Sequence, residues 1–189
     1  MFAQRGASLE RPENSLPAFE LGLALGADVL ELDVHPSRDG VFVVSHDPTG
    51  ARMCGVERAL SACDWSEIAR WDAGFGFIDR EGRRAFAGAG IHPSRFDDVL
   101  DALPDALLNV DVKNAREPEL RKLLDLIAAR GAQSRVLLTS FVARVLGVVR
   151  RLGKVHPKAR RQDDIVQERL GQCGQQVLLI VEVAVEHRR

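Results

Sequence analysis

The stretch VLELDVHPSRDGVFVVSHD, residues 29–47, limits the fold more than any other part of the chain. Its two runs of Val, Leu and Phe have the character of buried strands, yet they carry Glu31, Asp33 and His46. Ionised groups stay in such places only when something compensates them. Side chains alternate faces along a strand, so Glu31 and Asp33 share one face while Leu30, Leu32 and Val34 take the other. LLNVDVK, residues 107–113, repeats the arrangement, with Asn109, Asp111 and Lys113 on one face and Val110 and Val112 opposite. Two strands distant in sequence therefore present acids toward one lined cavity while their other faces pack into a core. A strand barrel brings them together. An antiparallel sheet with one wet face is the alternative, and it would leave Glu31 and Asp33 solvated.

The first 150 residues alternate strand and helix signals, the pattern of an α/β domain with a mainly parallel sheet. A strand at 2–4 leads to a polar loop ending in Pro12-Glu13-Asn14. Asn14 is placed to cap a helix with Leu16, Phe19 and Leu23 on one face, Pro17 in its first turn and Gly26 at its close. Strands at 29–34 and 41–46 join around Asp39-Gly40. A two-residue turn there sets Asp33 opposite His46, although Pro36 weakens an ideal ladder. Residues 48–95 are rich in Gly, Asp and Arg, lack a period, and read as an excursion from the sheet with one short helix near 64–69. A helix at 96–103, a strand at 107–113, an amphipathic helix at 118–130 ended by Gly131, a strand at 136–141 and a helix at 143–152 follow. After Gly153 the pattern degrades, and only VLLIVEVAV (177–185) resembles a further strand. The expectation is one domain over residues 1–189.

A chain of 189 residues with 46% apolar content can bury one core. Its formal charge of −1 supplies no general attraction to nucleic acid or acidic membranes. The basic run RRLGKVHPKARR (150–161) lacks interleaved aromatics and reads as solvated helix end and loop, not as a nucleic-acid contact. VLLIVEVAV is too short and too acidic to span a bilayer. Cys54, Cys63 and Cys173 form no CxxC pattern and have no zinc-ligand spacing, and no secretory signal opens the chain; the reducing cytoplasm is the expected location. Trp65 and Trp71 read as packing residues around the short helix. Nothing in the pattern specifies an oligomeric state.

Three carboxylates converging near one point repel one another unless a cation neutralises them, and hard oxygen donors favour Mg²⁺ or Ca²⁺ over zinc. Glu31, Asp33 and Asp111 are candidate ligands on that ground. His46, followed by Asp47 and Pro48, stands where a strand passes into a loop, the edge at which barrel enzymes carry catalytic groups; general acid or base work suits it. Arg5-Gly6, after the first strand, sets a guanidinium beside backbone that can approach a ligand closely.

Taken in order, QRGA with RPENSLPAF, GADVLELDVHPSRDGVFVVSHDPT, WDAG after an insertion, FDDVLDALPDALLNVDVK and VLLTSF resemble the glycerophosphodiester phosphodiesterase family. These are TIM-barrel enzymes related to the phosphatidylinositol-specific phospholipases C. The resemblance covers roughly residues 2–152. It implies a (β/α)8 fold and hydrolysis of a glycerophosphodiester to glycerol 3-phosphate and an alcohol, assisted by a divalent cation, Mg²⁺ or Ca²⁺. It further implies Glu31, Asp33 and Asp111 as metal ligands, Asp111 standing where the family usually has glutamate. By the same carry-over His46 is the general acid, Arg5 and Lys113 hold the phosphate oxygens, and residues 48–95 are the family's insertion, which helps shape the substrate mouth.

Two departures from the family pattern matter. Gln4 stands in place of the other catalytic histidine, and a glutamine amide cannot take up a proton near neutral pH. Losing a general base costs on the order of 10²–10⁴ in rate. Barrels of this type need about 250 residues, and the family's late strands have no counterpart after Leu152. An incomplete barrel with an atypical segment at 153–189 and impaired hydrolysis is the expectation. A non-catalytic protein that binds the cation and phosphodiester, or a degraded remnant, is the alternative.

Overall fold

Alternation along each strand separates an apolar face from a polar one, and four parallel strands carry both. The computed structural model describes residues 1–152. Their elements are β1 (Phe2–Gln4), α1 (Leu16–Ala24), β2 (Val29–Pro36), β3 (Phe42–Val44), β4 (Thr49–Gly50), α2 (Ala51–Cys54), β5 (Val56–Ala59), α3 (Trp65–Ile68), α4 (Phe96–Ala102), β6 (Leu107–Val112), α5 (Glu117–Ala129), β7 (Val136–Thr139) and α6 (Ala143–Leu152). The sheet runs in the order β1-β2-β6-β7 with every neighbouring pair parallel, and β3 pairs antiparallel with the end of β2. β1 with α1, β2 with α4, β6 with α5 and β7 with α6 make four β/α units, half of an eightfold barrel. VLLIVEVAV, Cys173 and most of the basic run lie outside the described residues.

Leu30, Leu32, Val34, Leu108, Val110, Val112 and Leu138 are buried against Phe19 of α1, Phe96 and Val99 of α4, Leu120 and Leu123 of α5, and Val145 and Val149 of α6. Each side chain of this size contributes about 1.5–3 kcal/mol on full burial. The opposite row of each strand is left for the site. No helix among the described residues is long and apolar enough to cross a membrane.

Several local features differ from the sequence reading. Ser15, not Asn14, caps α1: the Ser15 hydroxyl accepts from the Ala18 amide, with Pro17 in the first turn as expected. Asn14 instead takes a left-handed conformation, φ 56°, and turns its side chain to the sheet. The β2–β3 connection is one residue longer than a tight turn. Ser37 and Val41 close the loop through an amide-to-carbonyl bond of 2.8 Å, Gly40 sits at φ 81°, and Val34 pairs with Val44. Ser45 rather than His46 therefore falls opposite Asp33, its amide bonding the Asp33 carbonyl at 3.0 Å. One residue of slip exchanges the faces of a strand.

The insertion holds more structure than the one expected helix. β4 and β5 form a two-stranded antiparallel sheet, and α2 lies between them. Val43, Leu60, Cys63, Ile68 and Trp71 make a second core under this segment, with Trp65 packed on it, so both tryptophans are packing residues.

Candidate active site

Strand register assembles the site in two rows. Gln4, Glu31, Asn109 and Leu137 lie side by side across β1, β2, β6 and β7. Asp33, Asp111 and Thr139 form the next row. The acids predicted to meet from distant segments are thus direct neighbours on one face. Gln4 is exposed, Glu31 is 8% exposed and Asp33 2%.

Compensation of these acids comes from the chain's own cations. Lys113, just past β6, sets its ammonium 2.8 Å from Asp33 Oδ1 and 2.5 Å from Asp111 Oδ2. Burial works against its charge, but the bonds from Asp111 and Asp33 outweigh burial and raise its pKa. Arg5 follows β1 at φ 55°, its amide bonding the Glu31 carbonyl at 2.8 Å and the Glu31 carboxylate at 3.1 Å. The Arg5 Nε lies 3.4 Å from Asp33 Oδ2, is buried, and makes no hydrogen bond. Its neighbour Gly6 is needed for packing. A Cβ there would stand 2.6 Å from the Ala18 carbonyl carbon, and φ is 78°.

Glu31 has no such ammonium. Burial first, then the nearby Asp33, pushes its carboxyl up to about 7, against the bond and charge of Arg5. The second oxygen of Asp111, Oδ1, is buried without a hydrogen-bond partner. No group of three or more His, Cys, Asp or Glu side chains among the described residues is placed to hold a metal ion. Lys113 instead bonds one oxygen of Asp33 and one of Asp111. The donor chemistry nonetheless suits a hard cation, for Glu31 and the orphaned Asp111 Oδ1 are carboxylate oxygens.

His46 lies in the loop after β3, and its Nδ1 donates to Asp47 Oδ1 at 2.7 Å. It stands close enough for its charge to act at Asp111.

Four contributors escaped the sequence reading. Asn14 bonds Asp33 twice, its Nδ2 donating to Oδ2 at 3.0 Å and its Oδ1 accepting from the Asp33 amide at 3.3 Å. Glu13 accepts from Arg5 Nη1 at 3.3 Å. Asp47 orients His46. His35, buried on the Glu31 and Asp33 face, donates from Nε2 to the His46 carbonyl at 3.1 Å, and burial pushes its imidazole pKa down. The odd-numbered series 31, 33, 35 was a usable signal for His35, interrupted only by the Pro36 that follows.

Comparison with known proteins gives the same picture. The profile of the glycerophosphoryl diester phosphodiesterase family matches residues 5–160. The chain is 35% identical over 143 residues to "Probable glycerophosphodiester phosphodiesterase 2" of Mycobacterium tuberculosis, covering 75% of this chain and 48% of that protein. It is 34% identical over 146 residues to a glycerophosphodiester phosphodiesterase of Caldanaerobacter subterraneus, with 75% and 57% covered. The crystal structure of glycerophosphodiester phosphodiesterase from Agrobacterium tumefaciens matches with a TM-score of 0.68 and 31% identity, over 76% of this chain and 58% of that one. The chain spans about half the length of the curated relatives it matches. Its four β/α units are an incomplete TIM barrel of this type. With the match running through β2, β6 and β7 alike, the chain belongs to the glycerophosphoryl diester phosphodiesterase family.

Proposed function

We propose that this chain hydrolyses a glycerophosphodiester to glycerol 3-phosphate and an alcohol, at a rate limited by Gln4. The observation that carries the reading is the placement of Arg5 and Lys113 among Glu31, Asp33 and Asp111, with His46 at the rim. Arg5, whose Nε has no hydrogen-bond partner in the chain, and Lys113 donate to the phosphate oxygens and stabilise the charge that builds on them during displacement. Asp47 fixes the His46 ring through Nδ1, which leaves Nε2 as the nitrogen that protonates the leaving oxygen. Gln4, beside Glu31 in the sheet, orients a water or hydroxyl by hydrogen bonding but takes no proton from it.

Glu31, Asp33 and Asp111 would hold a divalent cation, Mg²⁺ or Ca²⁺. When bound, that ion supplies Lewis-acid polarisation of a phosphoryl oxygen. A cavity of about 320 Å³ bordered by Leu9, Arg52, Met53, Phe77 and Ile78 gives the alcohol portion room beside the insertion. Free thiols at Cys54 and Cys63 support a reducing cytoplasm as the setting.

The exposed Gln4 favours one second reading, a protein that binds the phosphodiester without turning it over. The deciding experiment assays the purified chain beside its Gln4→His variant for release of glycerol 3-phosphate, with Mg²⁺ and then Ca²⁺. Slow release, accelerated by Gln4→His and abolished by His46→Ala, is the expected result. Calorimetric binding with no release until Gln4→His is made establishes the second reading. Neither binding nor release in either chain ends both.

A further inference from the structure

Arg52, on α2 of the insertion, bonds two carboxylates that serve different halves of the site. Its Nε donates to Asp47 Oδ2 at 2.6 Å. Its Nη1 and Nη2 donate to Glu13 Oε2 at 3.0 Å and Oε1 at 2.7 Å. Asp47 holds His46 through its other oxygen, and Glu13 also accepts from Arg5. One unbroken line of charge-assisted bonds therefore joins His46, Asp47, Arg52, Glu13 and Arg5.

The distances say how Glu13 divides its charge. Its bonds to Arg52 are shorter than those to Arg5, which stand at 3.3 and 3.5 Å. Burial opposes ionisation of Asp47, yet the bonds from Arg52 and His46 hold its carboxyl below the usual range. A planar fork meets each carboxylate with its own edge and holds both in a fixed geometry; a lysine offers one point charge.

We propose that Arg52 is a positioning residue for the hydrolysis, fixing Asp47 behind His46 and drawing Glu13 off Arg5 so that the Arg5 guanidinium is kept for phosphate. The inference rests on the roles given to His46 and Arg5 above. Without Arg52, Glu13 falls wholly to Arg5 and Asp47 loses the bond that fixes it.

The test uses the full chain, native and with Gln4→His, carrying Arg52→Ala, Arg52→Lys, or Arg52→Ala together with Glu13→Gln. Inorganic phosphate binding is read by calorimetry, and kcat and KM with glycerophosphocholine. Arg52→Ala is expected to weaken phosphate about tenfold and lower kcat by a similar factor, the scale of one charge-assisted hydrogen bond. Adding Glu13→Gln returns phosphate affinity but not kcat, because Asp47 is still unsupported. Arg52→Lys recovers part of either property but not both. Where no chain turns over, the return of phosphate affinity decides alone. Unchanged phosphate affinity in Arg52→Ala, or a loss in every variant that tracks a fall in Tm, overturns the proposal while leaving the phosphodiesterase reading intact. Phosphate binding by none of the chains, the native included, overturns both.

Discussion

Asp33 and Asp111 stand in register on neighbouring strands, and a single ammonium, that of Lys113, bonds one oxygen of each. Two nearly inaccessible like charges are thereby held together by a group only two residues along the chain from one of them. Removing it leaves Asp111 without its ammonium and Asp33 with the Arg5 guanidinium alone. Lys113→Met is expected to lower stability by about 3 kcal/mol, the scale for taking one partner from a buried ion pair. Urea unfolding in a chelator would show the midpoint falling at constant slope, and millimolar Ca²⁺ should recover part of the loss by mass action. An unchanged midpoint would mean that the ammonium compensates nothing.

Glu31 makes stability depend on pH in the direction opposite to an ordinary paired carboxylate. Its pKa is raised from 4.5 to about 7, so between those values the folded chain keeps a proton that the unfolded chain has lost. Stability contributed by this group falls as pH rises from 4.5 to about 7, and the full penalty stands above 7. Glu31→Gln should exceed the parent by roughly 3 kcal/mol at pH 8 and by little at pH 4.5, again in chelator. Equal differences at both pH values would contradict this.

Asn14 has two jobs that substitution can separate. Asn14→Gly keeps the left-handed backbone but drops the bond to the Asp33 carboxylate, a loss of about 1.5–3 kcal/mol. Asn14→Ala loses that bond too and, unlike the glycine variant, keeps a Cβ in the left-handed region, which sets it about 1–2 kcal/mol below Asn14→Gly. Thermal melts that rank the two variants equally would show that the backbone conformation is unstrained.

Gly6→Ala should be the most damaging of these changes, because its Cβ would meet the Ala18 backbone and side chain at 2.6–2.8 Å in a region of φ that suits glycine. Neither backbone can yield without moving α1 off the sheet. Failure to accumulate as folded protein is expected, and a parent-like melt would refute the close contact.

The sequence made the alternating strands legible because period two is a local property. The odd positions of 29–34 and 107–113 announced a polar face, and the register then put Glu31 against Asn109 and Asp33 against Asp111. What escaped were relationships set by loops. Ser15 outcompeted Asn14 as the cap because Asn14 was already committed to Asp33. The slip that moved Ser45 opposite Asp33 came from one extra loop residue, invisible to any count of apolar positions. Arg52 lies in a segment without a period, so nothing in its neighbourhood pointed to Asp47 or Glu13. The carboxylates called for a compensating charge, which the strand pattern assigned to Mg²⁺ or Ca²⁺; it could not say that Lys113 would be within reach of both aspartates.

Because the rows that carry chemistry and the rows that pack under the helices never share a side chain, each can drift under selection without disturbing the other. On the role proposed for Gln4, an exchange at position 4 would change what happens to a substrate and leave the hydrophobic layer untouched. Architecture can therefore outlive reactivity in such a lineage, and ancestry read from the buried rows carries no guarantee of turnover.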